Sequence, residues 1–202
     1  MATTVLLIRH GETDAVGHLI AGRAPGWPLN ATGEAQVTAL ARQLASVPLT
    51  AVVSSPLERT VQTAAAIASI HRLPVERDAA FLEFNFGRWE GLAFDVLHAD
   101  PDWQQFNRVR SIIAAPGGES MLDVQQRAVR GLKRLCDRFP DGVVALVSHG
   151  DVIRALVLHV LGVPLDFMHR LEVAPARLSV VQFIADVPTV RQVNGDSVPP
   201  LA

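Results

Sequence analysis

Cysteine occurs once in this chain, at Cys136. No intramolecular disulfide can therefore form, and the sequence fits a reducing compartment. Excess charge of either sign is also missing. The formal net charge is −2 over 202 residues, which excludes the clustered cationic surface that broad nucleic-acid binding requires. Long apolar runs are absent. The most apolar stretch, VIRALVLHVLGVPL, is interrupted by Arg154 and His159 and is too short to span a bilayer. The opening MATTVLLIRH lacks the charged and apolar regions of a secretory signal. A soluble, cytoplasmic protein with no membrane or nucleic-acid partner is expected. No GxxxxGK[ST] occurs, which argues against a P-loop nucleotide enzyme. Position 142, where a cysteine-phosphatase loop starting at Cys136 would need arginine, holds Gly142.

Hydrophobic residues make up 49% of the chain, enough for a core that needs no metal or disulfide. Short apolar runs at Val5–Ile8, Ala51–Val53, LPVERD, GVVALVS and RLSVVQFIA read as strands, with a further short one at TVRQV. Between them lie helical patterns. Residues 32–46 carry Val37, Leu40, Ala41 and Leu44 at helical spacing, with Thr32 as the cap. Ser55 and Glu58 have capping-box spacing with Pro56 at the first helical position, predicting a helix over Pro56–Ile70. Ser120 and Asp123 repeat the box before a helix that Pro140 stops, and DVIRALVLHVLG ends at Gly162.

This alternation predicts an α/β three-layer sandwich with a largely parallel central sheet flanked by helices. One domain over 1–202 is expected, with a partly helical insertion at 84–115 over the active site and a loose tail from about residue 194.

Two of the predicted strands end in histidine followed by glycine, at Arg9-His10-Gly11 and at Ser148-His149-Gly150. A third leads into a helix whose first turn holds Arg59. Parallel sheets collect ligands at the carboxyl ends of their strands, so two histidines and two arginines converge there. Positive groups placed together need an anion between them, most simply a phosphoryl group. Neutral imidazole is a nucleophile near pH 7, and guanidinium forks match phosphate oxygens. Glu83 sits among Phe81, Leu82, Phe84 and Phe86, a setting that raises a carboxyl pKa and keeps a proton available.

At this point five ordered segments become informative together: RHGET, SSPLERTVQTA, LEFNFGRWEGL, GGES and SHGDVIR. They resemble the histidine phosphatase superfamily, whose best-known branch is cofactor-dependent phosphoglycerate mutase, and span roughly residues 4–160. The resemblance implies that His10 is transiently phosphorylated, that Arg9, Arg59 and His149 hold the phosphoryl group, and that Glu83 donates the proton. It implies no metal and no organic cofactor. Members commonly carry Asn a few residues after RHGET, where this chain has Val16; one lost neutral contact is worth about 1 kcal/mol.

The segment around Glu83 has Arg88 as its only cation, closer to the phosphatase branch than to the mutase branch. A metal-independent phosphatase acting on a small phosphorylated metabolite is therefore expected. A phosphomutase and a catalytically weak phospho-ligand binding protein are the alternatives. Arg23 is a candidate for the far end of the substrate, and Trp27 and Trp89 for the entrance. The apolar FMHRLEV region is the candidate contact of a homodimer.

Other residues have plainer readings. His18, His71, His98, His159 and His169 lack metal-ligand spacing with carboxylates or cysteine. Arg127, Arg130, Arg134 and Arg138 read as a solvated helical stripe, and Cys136 as a core residue beside Leu132 and Leu135. Asp100 and Asp102 mimic a DxD motif but follow no strand.

Overall fold

A computed structural model describes residues 2–200. Six strands form one sheet: β1 (Ala2–Arg9), β2 (Ala51–Ser54), β3 (Val75–Arg77), β4 (Val143–Ser148), β5 (Leu178–Ile184) and β6 (Val187–Gly195), in the order β3-β2-β4-β1-β5-β6. The first four strands of that order run parallel. β5 pairs antiparallel with both β1 and β6.

Alternate residues of the central strands point to opposite faces. Leu6 and Ile8 of β1 join Val52, Ala145 and Val147 beneath α1 (Ala31–Leu44) and α2 (Glu58–His71). Val5 and Leu7 join Val53, Val144 and Leu146 beneath α5 (Met121–Arg138) and α6 (Gly150–Leu161). The result is the three-layer sandwich that the alternating pattern predicts. Among the described residues no helix is long and apolar enough to cross a membrane.

Two helix starts differ from expectation. α1 is capped by Asn30, whose side-chain oxygen accepts from Gly33 N at 2.8 Å, so Thr32 lies inside the first turn. The amide of Asn30 also donates to Glu12 and Asp14, tying this helix to the loop after β1. α2 begins at Glu58 with Leu57 at its cap and no side-chain cap bond. The Ser55–Glu58 box does not form because the Ser55 hydroxyl is committed to His149. At α5 the Ser120–Asp123 box does form.

The 84–115 segment contains α3 (Phe94–Ala99) and α4 (Pro101–Arg108). Trp103 and Phe106 of α4 pack with Phe84, Phe86 and Trp89 in one aromatic cluster. A short bridge pairs Leu19 with Ala93, and Ile20 N donates to Leu92 O at 3.0 Å. The insertion is thereby hydrogen-bonded to the loop that follows His10. At the other end of the chain, Asn194 and Gly195 belong to β6, and the Asn194 side chain accepts from Ala174 N. The tail is anchored further than its composition suggests.

Candidate active site

The β1–β4 register pairs Arg9 with Ser148, so the next residues, His10 and His149, leave the sheet side by side. Their rings stand 5.4 Å apart at 63°. β4 lies between β1 and β2, which opens the crevice at the strand ends where ligands gather in such sheets. The loop under His10 is held by close backbone packing. Gly11 N donates to Thr63 Oγ1 at 3.1 Å, and Thr63 donates onward to Arg59 O. A Cβ on Gly33 would lie 2.1 Å from Glu12 O, so α1 reaches the loop only because that position is glycine.

His10 is buried, and its Nδ1 lies 2.7 Å from Gly11 O. A carbonyl can only accept, so Nδ1 carries the proton and Nε2 keeps its lone pair at the cleft. Burial, then Arg59 and Arg9, pull the His10 pKa well below 6.5 and keep the ring neutral. His149 is fully buried, with Nε2 2.8 Å from Ser55 Oγ. When that hydroxyl donates to Nε2, the His149 proton sits on Nδ1, the nitrogen 3.8 Å from Glu83 Oε2.

Among the described residues three buried side-chain polar atoms lack a hydrogen-bond partner: Arg9 Nε, His71 Nε2 and His149 Nδ1. Two of the three flank His10. Arg9 is anchored through Nη1 to Val173 O at 2.7 Å, and Arg59 through Nη2 to Gly22 O at 2.8 Å. Burial lowers both guanidinium pKa values and the Glu83 carboxylate opposes it. Arginine stays charged throughout. Arg9, His10, Arg59 and Glu83 line one cleft of about 180 Å³.

Glu83 Oε1 accepts from Phe84 N at 2.8 Å, and Oε2 lies 3.8 Å from His149 Nδ1. Burial and the nearby Asp151 push its pKa up to about 7, against the opposing pull of the Phe84 amide, Arg59 and Arg9. A carboxyl in that range can deliver a proton and take one back at neutral pH.

The structure thus brings Arg9, His10, Arg59, Glu83 and His149 together. Val16 lines the same cleft. Arg23 has a different position from the one expected. Its Nε donates to the Glu83 carbonyl at 2.9 Å and its Nη2 pairs with Glu119 at 2.7 Å, so it braces the loop of the acid. Trp89 is 3% exposed, packs edge-on against Trp103 and donates to Asp100, so it belongs to the insertion's core and not to an entrance. Trp27 is half-buried and does not line the cleft.

Several contributors escaped the sequence. Arg127 is no solvated stripe residue: it donates to Ala80 O and Glu83 O and pairs with Glu119. Helical spacing cannot tell which arginine of a row faces a loop. Ser55 read as a helix cap, and its true partner lies 94 positions away. Glu119 sat within the quoted GGES without a role. Asp151 lines the cleft and pairs with Arg154 on its own helix and with Arg110 of a distant segment. Among the described residues no three His, Cys, Asp or Glu side chains gather as a metal site would require.

Comparison with known proteins agrees with this geometry. Residues 5–196 match the model of the histidine phosphatase superfamily (branch 1). Bifunctional protein Rv2228c of Mycobacterium tuberculosis is 38% identical over 197 residues, which are 95% of this chain but 54% of that relative. The chain therefore spans about half the length of that curated relative. Adenosylcobalamin/alpha-ribazole phosphatase of Escherichia coli is 31% identical, covering 95% of this chain and 96% of its own. The solved mycobacterial glucosyl-3-phosphoglycerate phosphatase superposes with a TM-score of 0.87 at 27% identity, over 96% of this chain and all of that one. Matched along nearly its whole length, with the two strand-end histidines set against two anchored arginines, this chain belongs to the histidine phosphatase superfamily.

Proposed function

We propose that the protein hydrolyses small phosphomonoesters through a phosphohistidine on His10, without a metal or organic cofactor. The observation that carries the reading is the pair of buried, unpartnered nitrogens, Arg9 Nε and His149 Nδ1, beside the neutral ring of His10. Burying a donor without an acceptor costs about 1–3 kcal/mol, and a bound phosphoryl group would satisfy both. The two phosphatases among the relatives support the same reaction class.

In the first step the Nε2 lone pair of His10 forms a bond to phosphorus while the ester P–O bond breaks. The leaving oxygen takes the proton of Glu83. Arg9, Arg59 and His149 hold the equatorial oxygens, where charge is stabilised without reorganisation. In the second step water attacks phosphorus, its proton passes to the Glu83 carboxylate, and the N–P bond breaks to release phosphate.

The test is phosphate release from an aryl phosphate and a panel of metabolites in EDTA, beside His10→Ala. The reading predicts release that survives EDTA, is lost in the variant, and leaves an acid-labile phosphoryl label on His10 in rapid-quench samples. Phosphoryl transfer between two organic hydroxyls in preference to water would move the reading to a mutase. Activity retained in His10→Ala would sink it.

A further inference from the structure

We infer, on the footing of that hydrolase reading, that the cavity beside the cleft is the leaving-group subsite, and that it selects a ring-bearing alcohol carrying a second anionic group. The cavity has a volume of about 650 Å³, against about 180 Å³ for the cleft. Ile20, Phe86, Phe94, Asp151 and Arg154 line both, so the two are contiguous. An ester whose phosphoryl group sits against His10 must send its alcohol in this direction or into solvent.

Size is the first argument. Pockets for drug-sized ligands occupy roughly 300–1,000 Å³, and an alcohol of two or three carbons would leave most of this space to water. Shape is the second. Phe86, Phe94 and Trp103 are aromatic residues in the lining, with the Phe86 and Trp103 rings 6.2 Å apart between centroids. Flat apolar groups gain from offset or edge contacts with such rings.

Charge is the third argument. The lining contains three guanidiniums, of Arg108, Arg110 and Arg154, and one carboxylate, of Asp151. That carboxylate is shared: it accepts from Arg110 Nη1 at 2.9 Å and from Arg154 Nη1 at 3.0 Å. Arg110 is almost completely buried, its guanidinium 4.7 Å from the Phe106 ring centroid. His169 on the same wall adds no compensating negative charge. A wall with three guanidiniums against one carboxylate is net positive and favours an anionic ligand group.

The experiment compares kcat/KM for phenyl phosphate, naphthyl phosphate and a carboxynaphthyl phosphate in EDTA. A rise at each step is expected, about tenfold for the added carboxylate. Arg108→Gln, on the exposed rim, is expected to shrink the carboxylate step more than the ring step. Calorimetry with His10→Ala protein and the free alcohols, naphthol and hydroxynaphthoate, reads the subsite without turnover, and tighter binding of hydroxynaphthoate is expected. Equal kcat/KM across the three esters, or equal binding of the two alcohols, overturns the proposal. Preferential hydroxynaphthoate binding with no ester hydrolysed would keep the subsite and remove the hydrolase reading instead.

Discussion

Glu83 Oε2 stands 3.8 Å from His149 Nδ1, and the two side chains arrive from unrelated parts of the chain: a loop ahead of the insertion and the end of β4. The carboxyl is held near neutral pKa and the imidazole well below its ordinary value, in both cases chiefly by burial. Burial has opposite consequences for charge here. It favours the protonated, neutral acid and the unprotonated, neutral base, so at neutral pH Glu83 is divided between its two forms while His149 stays uncharged, between two fixed guanidiniums.

That pairing sets the pH dependence. In the proposed mechanism the first step requires Glu83 protonated, so kcat/KM is expected to fall as pH rises through about 7. It requires His10 neutral, and because the His10 pKa is depressed, activity persists as pH drops below 6.5. Glu83→Gln is expected to abolish the alkaline limb and to lower kcat on alkyl phosphates by about 10²–10⁴. The kcat/KM of a nitrophenyl ester, whose leaving group departs without a proton, should suffer far less, while its kcat still falls because release of phosphate from His10 uses the same carboxylate as base. pH–rate profiles of both esters in both proteins check this, and an alkaline limb that survives in Glu83→Gln would assign it elsewhere.

Ser55 Oγ lies 2.8 Å from His149 Nε2, and a hydroxyl donating there sets the tautomer with the proton on Nδ1. Ser55→Ala removes that contact from a fully buried site and frees the ring to carry its proton on Nε2, away from the cleft. The expected loss in kcat is about tenfold, matching a hydrogen bond of about 1 kcal/mol or slightly more. The unfolding midpoint should fall as well, since an unpaired nitrogen in a fully buried ring costs about 1–3 kcal/mol. A variant of full activity would show that Nδ1 protonation needs no help from Ser55.

The sandwich was legible because the periodicities switch cleanly. Val5–Ile8 and GVVALVS read as buried strands, and Leu40, Ala41 and Leu44 as a helix face, each from local pattern alone. The convergence of His10, His149, Arg9 and Arg59 was also legible, since strand ends and a helix start define one edge of a parallel sheet. What escaped were partners that only tertiary contact creates. Ser55 satisfies a capping pattern equally well whether it caps α2 or holds His149. Arg23 and Arg127 look like free cations until the Glu83 carbonyl and Glu119 come between them. Trp89 has the composition of an entrance residue, yet Trp103 and Phe106 pack against it and leave it buried. Local spacing carries no information on which of two competing partners a polar side chain takes.

Glu119 joins Arg23 to Arg127, and both arginines donate to the carbonyl of Glu83. It also accepts from Asn85 N at 3.0 Å. Glu119→Gln keeps the shape but discards the charge, leaving two partly buried guanidiniums without their carboxylate. A stability loss of about 1–3 kcal/mol follows from breaking charge-assisted bonds. The Glu83 loop should also loosen, so kcat/KM on alkyl phosphates falls while kcat/KM on nitrophenyl phosphate is largely spared. Denaturant unfolding and the two-ester comparison separate those effects, and equal losses on both esters would count against a positioning role.

Gly33 allows α1 to touch the loop behind His10. Alanine there would set its Cβ 2.1 Å from Glu12 O, a backbone atom that cannot rotate away. Either α1 or the loop must move, at a cost of about 1–3 kcal/mol. Since Gly11 packs back on Gly33 O, the displacement reaches His10 directly. Gly33→Ala should lower both the unfolding midpoint and kcat, whereas Ala31→Gly, at the helix start, should change stability alone. Intact activity in Gly33→Ala would show that the nucleophile is insulated from α1.

Val16 offers the opposite direction of change, a gain. It lines the cleft from the loop after β1, its N–H donating to Thr13 O at 3.0 Å, and presents only methyl groups where a polar side chain would meet the bound oxygens. The backbone of the turn is already fixed by that bond, so an asparagine at this position needs no new conformation to aim its amide inward. Val16→Asn adds one neutral donor, worth about 1 kcal/mol when its partner is an anion already held by two arginines. The inhibition constant of inorganic phosphate should then fall about fivefold. Val16→Ala, which opens the same space without adding a donor, should leave it unchanged. A similar gain in both variants would mean that valine hinders the phosphoryl group by bulk and not by lacking a donor.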